Sequence, residues 1–191
     1  ELRLHNGTIY RWNRPVYDVV EQAGGGRPHL RVENRVLPAG PTVLDMMANA
    51  AFYYGVLRAM SEDDRPVWTK MSFAAAEANF VAAAQRGMDA SLYWPALGEV
   101  TPDELVLRQL LPMAEEGLRR WEVAADVRDR YLGVVEGRAK TGRNGATWQS
   151  AAVNALQGRG FNRPDALAEM LRLYCERMHS NEPVHTWDLP V

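Results

Sequence analysis

Charged side chains alternate along a short stretch near the start of the chain, in the sequence RVENR at residues 31–35. In a β-strand Arg31, Glu33 and Arg35 lie on one face, and neighbouring side chains on that face are about 7 Å apart. A carboxylate is a hard oxygen ligand for Mg²⁺, and an arginine holds a phosphate in the fork of its guanidinium. The pattern therefore indicates either a site for phosphate and metal or a solvated strand face with cross-strand ion pairs, each worth about 0.2 to 1 kcal/mol.

The elements that position this stretch are predicted to be strands, which are confined to about the first 40 residues. An Asn-Gly pair between two alternating runs predicts a hairpin over residues 1–12. Pro15 then imposes an extended or turning path. The glycines at 24–26 are interpreted as a loop between strands, and the charged strand follows at 29–37. The alternate positions of that strand are apolar: Leu30, Val32 and Val36.

From residue 41 onward the sequence is predicted to be helical throughout. Thr42, with Asp45 three residues later, is a helix cap, and the segment that follows is apolar almost all round, as expected of a buried central helix. Ser72 and Gly87 bound a second helix, and Pro112 is expected to kink a third. Further helices are predicted at 125–140, 145–157 and 164–179. A few antiparallel strands followed by about six packed helices make an α+β fold, with strands in 1–40, helices in 41–180 and a tail in 181–191.

The composition predicts a single globular unit with a sizeable core. The chain has 191 residues, 47% of them hydrophobic, and a formal net charge of −2. This charge supplies no diffuse basic field, so we expect no binding to nucleic acid. The single cysteine, Cys175, excludes an intrachain disulfide and a multi-cysteine zinc site. No segment has the length of a membrane span, so we expect no membrane partner and a cytoplasmic location.

Several segments resemble motifs of one enzyme family, and they occur in the family's order. LRVENRVLPAGPTV at 30–43 is similar to a Glu-x-Arg strand, and GTIYRWNRPVYD at 7–18 is similar to the preceding strand with its Arg-Pro. EANFVAAAQRGMDA at 77–90, GRNGATWQ at 142–149 and the closing MHSNEPVHTW at 178–187 also match. The chain thereby resembles the bacterial carboxylate-amine ligase family that contains glutamate-cysteine ligase, in its actinobacterial branch.

The resemblance implies a glutamine-synthetase-like fold, in which a curved antiparallel sheet carries helices on its back. It implies an enzyme that uses ATP and Mg²⁺ to phosphorylate the side-chain carboxylate of glutamate, after which an amine such as cysteine attacks the acyl phosphate. Carried over by motif position, Glu33 is a Mg²⁺ ligand, Arg35 contacts phosphate, and Arg14 contacts glutamate or phosphate. Arg31 lies on the same face and is included as a contact to ATP without a motif position. Pro38 stands where many members of the family have Asp.

The resemblance covers the C-terminal portion of such a ligase. Two or three Mg²⁺ ions need several carboxylates, whereas this chain offers one candidate. Family members carry the other ligands in an N-terminal Gly-x-Glu-x-Glu segment, which has no counterpart here. We therefore expect that the missing N-terminal half is a partner of this chain and that the isolated chain is inactive. Two alternatives stay open: a non-catalytic binding or assembly module with the ligase fold, and a ligase with another amine acceptor.

Other side chains could bind a metal ion or an anion, and each of them also has a structural interpretation. His179 and His185 flank Glu182 at a spacing that matches no metal motif, and an exposed tail is the favoured interpretation. Asp45 is interpreted as a first-turn acid near a helix N-terminus. The segment 142–144 is interpreted as a turn between two helices, with an anion contact by its arginine as the alternative.

Overall fold

The computed structural model describes residues 13–20, 26–37 and 39–190. Two compact units make up the chain, Glu1–Ala39 and Gly40–Val191. The hairpin predicted over residues 1–12 and the family departure at Pro38 lie outside the described residues. The assignment of the whole chain to a single ligase domain stays a prediction.

The first unit contains an antiparallel hairpin of two strands, β1 (Asn13–Val20) and β2 (Arg27–Asn34). Pro15 lies within β1, so it takes the extended path that the sequence predicted. The strand predicted at 29–37 is shifted toward the N-terminus, and Arg35 therefore follows the end of β2. The segment 21–25, which holds two of the three glycines interpreted as an inter-strand loop, lies outside the described residues.

The hairpin has one charged and one apolar face, as the alternation predicted. Residues directly opposite each other in an antiparallel pair share a face. The register places Arg14 opposite Glu33 and Asp18 opposite His29, with Arg31 between them on the same face. The other face carries exposed apolar side chains: Tyr17, Val19, Leu30 and Val32.

Six helices lie in the described part of the second unit, and the first hairpin precedes them in the chain. Because the strands of the first hairpin and the helices occupy separate parts of the sequence, the predicted α+β class is confirmed. The helices are α1 (Val43–Ser61), α2 (Phe73–Arg86), α3 (residues 102–120), α4 (Ala125–Thr141), α5 (Gly145–Gly158) and α6 (Arg163–Ser180). The side chains of Thr42 and Ser72 accept hydrogen bonds from backbone N–H groups of the first turn, as predicted for caps. Among the described residues no helix combines the length and the apolar character needed to cross a membrane.

The third helix changes its hydrogen-bonding pattern part-way along. Its α-helical start, Pro102–Leu105, is followed by a π-helical turn, Val106–Leu110, and then by α-helix again over Leu111–Arg120. Pro112 lies at the start of the second α-helical segment. A proline ring clashes with the carbonyl four residues earlier in a regular α-helix, and that carbonyl lies within the π-helical turn. The irregularity that proline predicted thus takes the form of a widened turn before it.

A second small hairpin contradicts the prediction that everything after residue 41 is helical. β3 (Leu92–Trp94) and β4 (Gly98–Val100) form an antiparallel pair. The amide side chain of Asn79 bonds to both backbone groups of Tyr93, donating to its carbonyl at 2.7 Å and accepting from its N–H at 2.8 Å. These strands are too short to show an alternating pattern, and a side chain of α2 stabilises them.

The first helix lies against α3 and α4 on one side only, so the prediction of a helix buried all round is wrong. Ala48 is fully buried with Val134 of α4 in one core cluster. The apolar side chains of Met47, Tyr54 and Leu57, by contrast, are exposed. The apolar composition of α1 therefore exceeds what its contacts within the second unit require.

The closing segment contributes side chains to the core, so the predicted exposed tail is wrong for part of this segment, although His179 and Glu182 are exposed as predicted. Val184 and Trp187 are completely buried. The ring of Trp187 meets the rings of Trp148 in α5 and Tyr174 in α6 edge to face, with centroids 5.2 and 5.4 Å apart. Such aromatic pairs contribute about 0.5 to 1.5 kcal/mol each beyond their buried area. Val184 and Trp187 thus complete the packing of α5 against α6.

Candidate functional site

The charged face of the first hairpin holds a carboxylate between two guanidinium groups. Oε2 of Glu33 lies 2.8 Å from Nη2 of Arg14, and Oε1 lies 3.1 Å from Nε of Arg35. Nη2 of Arg35 donates a further hydrogen bond to Oε2 at 3.4 Å. The register of the hairpin brings Arg14 across to Glu33, whereas Arg35 reaches back from beyond the end of β2. We call these three residues the arginine–glutamate cluster.

The arginine–glutamate cluster carries one net positive charge. The side chain of Glu33 is 39% exposed and that of Arg14 is 48% exposed, so both are accessible to a ligand. Exposed ion pairs contribute only about 0 to 1 kcal/mol, and a stronger anion can compete for the same donors. Guanidinium forks bind carboxylate and phosphate through two parallel hydrogen bonds. The cluster therefore has the charge and the donors of an anion site.

The pKa of Glu33 is predicted to respond more to Arg35 than to Arg14. The hydrogen bond from Arg35 is the main cause that lowers this pKa below its ordinary value of 4.5, and the charge of Arg14 adds to it. A lowered pKa means that the carboxylate stabilises the hairpin above about pH 4.5 and that this contribution is lost as pH falls through the lowered pKa. Carboxyl ¹³C NMR titration should place the Glu33 midpoint below 4.5 and move it upward in Arg35→Ala, and less in Arg14→Ala.

The matched control for this titration is Arg31→Ala, which removes an arginine from the same face without removing a contact to Glu33. We expect the Glu33 midpoint to stay where it is in that variant. An equal upward shift in Arg31→Ala and Arg35→Ala would show that the general charge of the face, and not the hydrogen bond from Arg35, sets the pKa.

The fourth predicted site residue, Arg31, is not part of the arginine–glutamate cluster. Its Nη1 lies 3.0 Å from Oδ2 of Asp18 and 2.7 Å from Nε2 of His29. The hydrogen bond from Arg31 also lowers the pKa of Asp18. Asp18 and His29 were missed as neighbours, because only the register of the hairpin places them beside Arg31.

The described residues do not by themselves make a Mg²⁺ site. Mg²⁺ requires six oxygen ligands in near-octahedral array. Both carboxylate oxygens of Glu33 are already held by guanidinium groups. In the part of the chain that the structure describes, no three His, Cys, Asp or Glu side chains group closely enough to hold a metal ion. Mg²⁺ binding by Glu33 therefore stays a prediction that needs further carboxylates.

Comparison with known proteins identifies no family for this chain. No family model matches the sequence, and neither a curated protein nor a solved structure matches it significantly. The likeness to carboxylate-amine ligases therefore depends on the sequence motifs given above.

The turn at 142–144 has the structural role that the sequence favoured. Gly142 ends α4 at a φ of 64°, and the side chain of Asn144 caps α5. Nη1 of Arg143 donates to the backbone carbonyl of Trp187 at 2.6 Å. Arg143 thus stabilises the closing segment through this hydrogen bond from its guanidinium.

A buried polar cluster in the second unit surrounds the carboxylate of Asp45. Oδ2 of Asp45 accepts hydrogen bonds from the Thr42 hydroxyl at 2.8 Å and from the backbone N–H of Val184 at 3.1 Å. Oδ1 lies 3.8 Å from Nε of Arg138. The interpretation of Asp45 as a first-turn acid is confirmed, but its side chain also bonds to the closing segment, which the sequence did not indicate.

His185 lies beside this buried cluster and is partly withdrawn from solvent. Its ring contacts the backbone of α4 at Gly137, where an added Cβ would collide with it. Burial lowers the pKa of His185, with Arg138 and Arg143 acting in the same direction and Asp45 opposing them. The neutral imidazole is therefore favoured, as expected of a ring packed against a helix.

Proposed function

We propose that this chain is the C-terminal portion of an ATP-dependent carboxylate-amine ligase. The observation that carries the proposal is the arginine–glutamate cluster, in which Arg14 and Arg35 flank one carboxylate and leave a net positive charge on the face of a hairpin. The sequence motifs of a Glu-x-Arg strand preceded by an Arg-Pro strand support the same function. A glutamine-synthetase-like fold and a glutamate substrate are part of the proposal.

The proposed reaction has two steps, and the arginines act on both. The side-chain carboxylate of glutamate attacks the γ-phosphorus of ATP, the bond to ADP breaks, and γ-glutamyl phosphate forms. The nitrogen of an amine, cysteine in the simplest case, then attacks the acyl carbon, loses a proton and expels inorganic phosphate. Arg35 and Arg14 offset the negative charge of the transferring phosphoryl group or of the glutamate carboxylate. Glu33 holds both guanidinium groups in position in the absence of substrate.

The proposal assigns the remaining parts of the site to the N-terminal half of the same protein. The described residues contribute one carboxylate toward the metal ions, so the other ligands must come from elsewhere in the ligase. The isolated chain of 191 residues is accordingly expected to form no γ-glutamyl product. Arg31, paired with Asp18, is placed at the edge of the site as a contact to ATP.

The test is release of ADP by the ligase that contains this chain, with glutamate, Mg²⁺ and a panel of amines. An arginine that stabilises a transferring phosphoryl group contributes about 10³- to 10⁵-fold to turnover, so we expect a fall of at least about 10³-fold in Arg35→Ala. Glu33→Gln should lower turnover as well. Arg130→Ala removes an exposed arginine of α4 that lies outside the matched segments, and it serves as the control with unchanged turnover. Unchanged turnover in both site variants would contradict the proposal.

A second candidate function is a non-catalytic module that retains the fold. The observation that favours it is the pairing of charges on the hairpin face, where Arg31 with Asp18 and Arg14 with Glu33 form half-exposed ion pairs typical of a solvated surface. A ligase with normal ADP release and no dependence on Glu33 or Arg35 would favour this alternative.

A further inference from the structure

A cavity of about 300 Å³ lies in the second unit and has no part in the proposed ligase chemistry. It is formed by the end of α1, the turn between β3 and β4, and the π-helical turn of α3 with the residues after it. Its apolar lining residues include Met60, Met113 and Trp94. Ligand pockets typically combine such an apolar lining with a few polar groups, and this volume is at the small end of their range.

Polar groups at this cavity are available to a ligand. Arg65 and Gln109 line the cavity, and the side chain of neither forms a hydrogen bond or ion pair with another side chain in the described residues. Asp63, in contrast, is engaged twice: it pairs with Lys70 and accepts the backbone N–H of Arg65 at 2.9 Å. Asp63 therefore holds the loop that presents Arg65 and interacts with the charge of Arg65, while the guanidinium donates no hydrogen bond to another side chain among the described residues.

The π-helical turn supplies the second reason to consider this cavity. Gln109 belongs to that turn, and Met113 follows shortly after it. Single π-helical turns within α-helices are uncommon and occur frequently at functional sites. A neighbouring larger groove lacks these features, because its polar side chains are satisfied internally: Asn79 bonds to Tyr93, and Ser91 donates to Glu99 at 2.6 Å.

We propose that this cavity binds a small aromatic carboxylate. Arg65 and Lys70 outweigh Asp63 by one positive charge, and a guanidinium fork matches a carboxylate. An aromatic ring can stack on the indole of Trp94, with the thioethers of Met60 and Met113 at its edges. The volume admits a ligand with one ring. This site is independent of the arginine–glutamate cluster, so the two proposals stand or fall separately.

The test titrates phenylacetate into the ¹⁵N-labelled chain of 191 residues and follows the indole N–H resonances by NMR. Trp94→Phe identifies the resonance of Trp94. We expect a saturable shift of that resonance with phenylacetate and weaker binding, by at least about tenfold, of the neutral isostere phenylacetamide. Arg65→Met should weaken phenylacetate binding to a similar extent, whereas Arg86→Met, which removes the same charge from an exposed helix position, should leave the affinity unchanged.

A further variant keeps the test decisive if Arg65→Met fails to fold. Gln109→Glu preserves the shape of the side chain and adds a negative charge, so it should weaken the binding of phenylacetate and leave that of phenylacetamide unchanged. The proposal is overturned by equal affinity for phenylacetate and phenylacetamide, by the absence of a saturable shift at Trp94, or by native affinity in folded Arg65→Met.

Discussion

Gly117→Ala is expected to destabilise the second unit by about 3 kcal/mol, the upper end of the usual range for overpacking, because the added methyl group meets backbone atoms. Gly117 in α3 and Gly55 in α1 are both buried where the two helices cross. A Cβ at position 117 would collide with the carbonyl oxygen of Gly55 and would lie 3.1 Å from the backbone nitrogen of Ala59. Backbone atoms of a helix cannot rotate away, so α1 and α3 would have to separate. Urea unfolding followed by circular dichroism measures the loss.

The control for this prediction is Gly133→Ala, at an exposed position within α4. A Cβ there meets nothing within 4 Å. Alanine in a helix interior is favoured over glycine by about 0.5 to 1 kcal/mol, so this variant should be slightly more stable than the native chain. Equal stability of Gly117→Ala and Gly133→Ala would mean that α1 and α3 do not cross in contact at these glycines.

Asp45→Ala is expected to reduce the free energy of unfolding by about 3 to 5 kcal/mol, because it removes one member of a buried charge pair. The change leaves the guanidinium of Arg138 without its carboxylate and the N–H of Val184 without its acceptor. Burial already lowers the pKa of Arg138, while Asp45 raises it. Denaturant unfolding gives the size of the loss, and hydrogen exchange at the Val184 amide reports whether the closing segment has been released.

The matched control for this change is Asp126→Ala, which removes an exposed acid from the first turn of α4. Such an acid interacts with the helix dipole alone and contributes about 0.3 to 1 kcal/mol. If Asp45→Ala costs no more than Asp126→Ala, and exchange at Val184 is unchanged, then Asp45 is only a first-turn acid and the closing segment is held by its aromatic contacts.

Local signals predicted the helices of this protein well. Thr42, Ser72 and Gly87 each act on backbone groups within a few residues, so their effect is readable from sequence. Pro112 predicted an irregular helix for the same reason, although the form it takes, a π-helical turn, was not predicted.

Contacts between residues that are distant in the sequence could not be predicted from such local signals. Trp187 is buried because it packs against Trp148 and Tyr174, and the sequence of the closing segment alone does not predict those contacts. The hydrogen bond from the Val184 N–H to Asp45 joins opposite ends of the second unit's sequence. The eleven residues at 181–191 were therefore predicted to form an exposed tail.

The candidate site shows the same division between local and distant information. Alternation placed Arg31 and Glu33 on one face, and the structure has them there. Which arginine meets Glu33 from across the hairpin depends on the register of β2 with β1, and that register pairs Arg14 with Glu33 and Arg31 with Asp18. Strand alternation can be predicted from the sequence of one strand, whereas register depends on how two strands pair.

The transfer of ¹⁸O from glutamate to phosphate tests the proposed function most directly. Glutamate labelled with ¹⁸O in its side-chain carboxylate is supplied with ATP, Mg²⁺ and cysteine to the ligase that contains this chain, and the inorganic phosphate is analysed by ³¹P NMR. Because a carboxylate oxygen attacks phosphorus and later leaves with it, we expect ¹⁸O in the phosphate, and loss of this labelled product in Arg35→Ala. Phosphate that forms without the label would contradict an acyl phosphate and, with it, the assignment of this chain to a carboxylate-amine ligase.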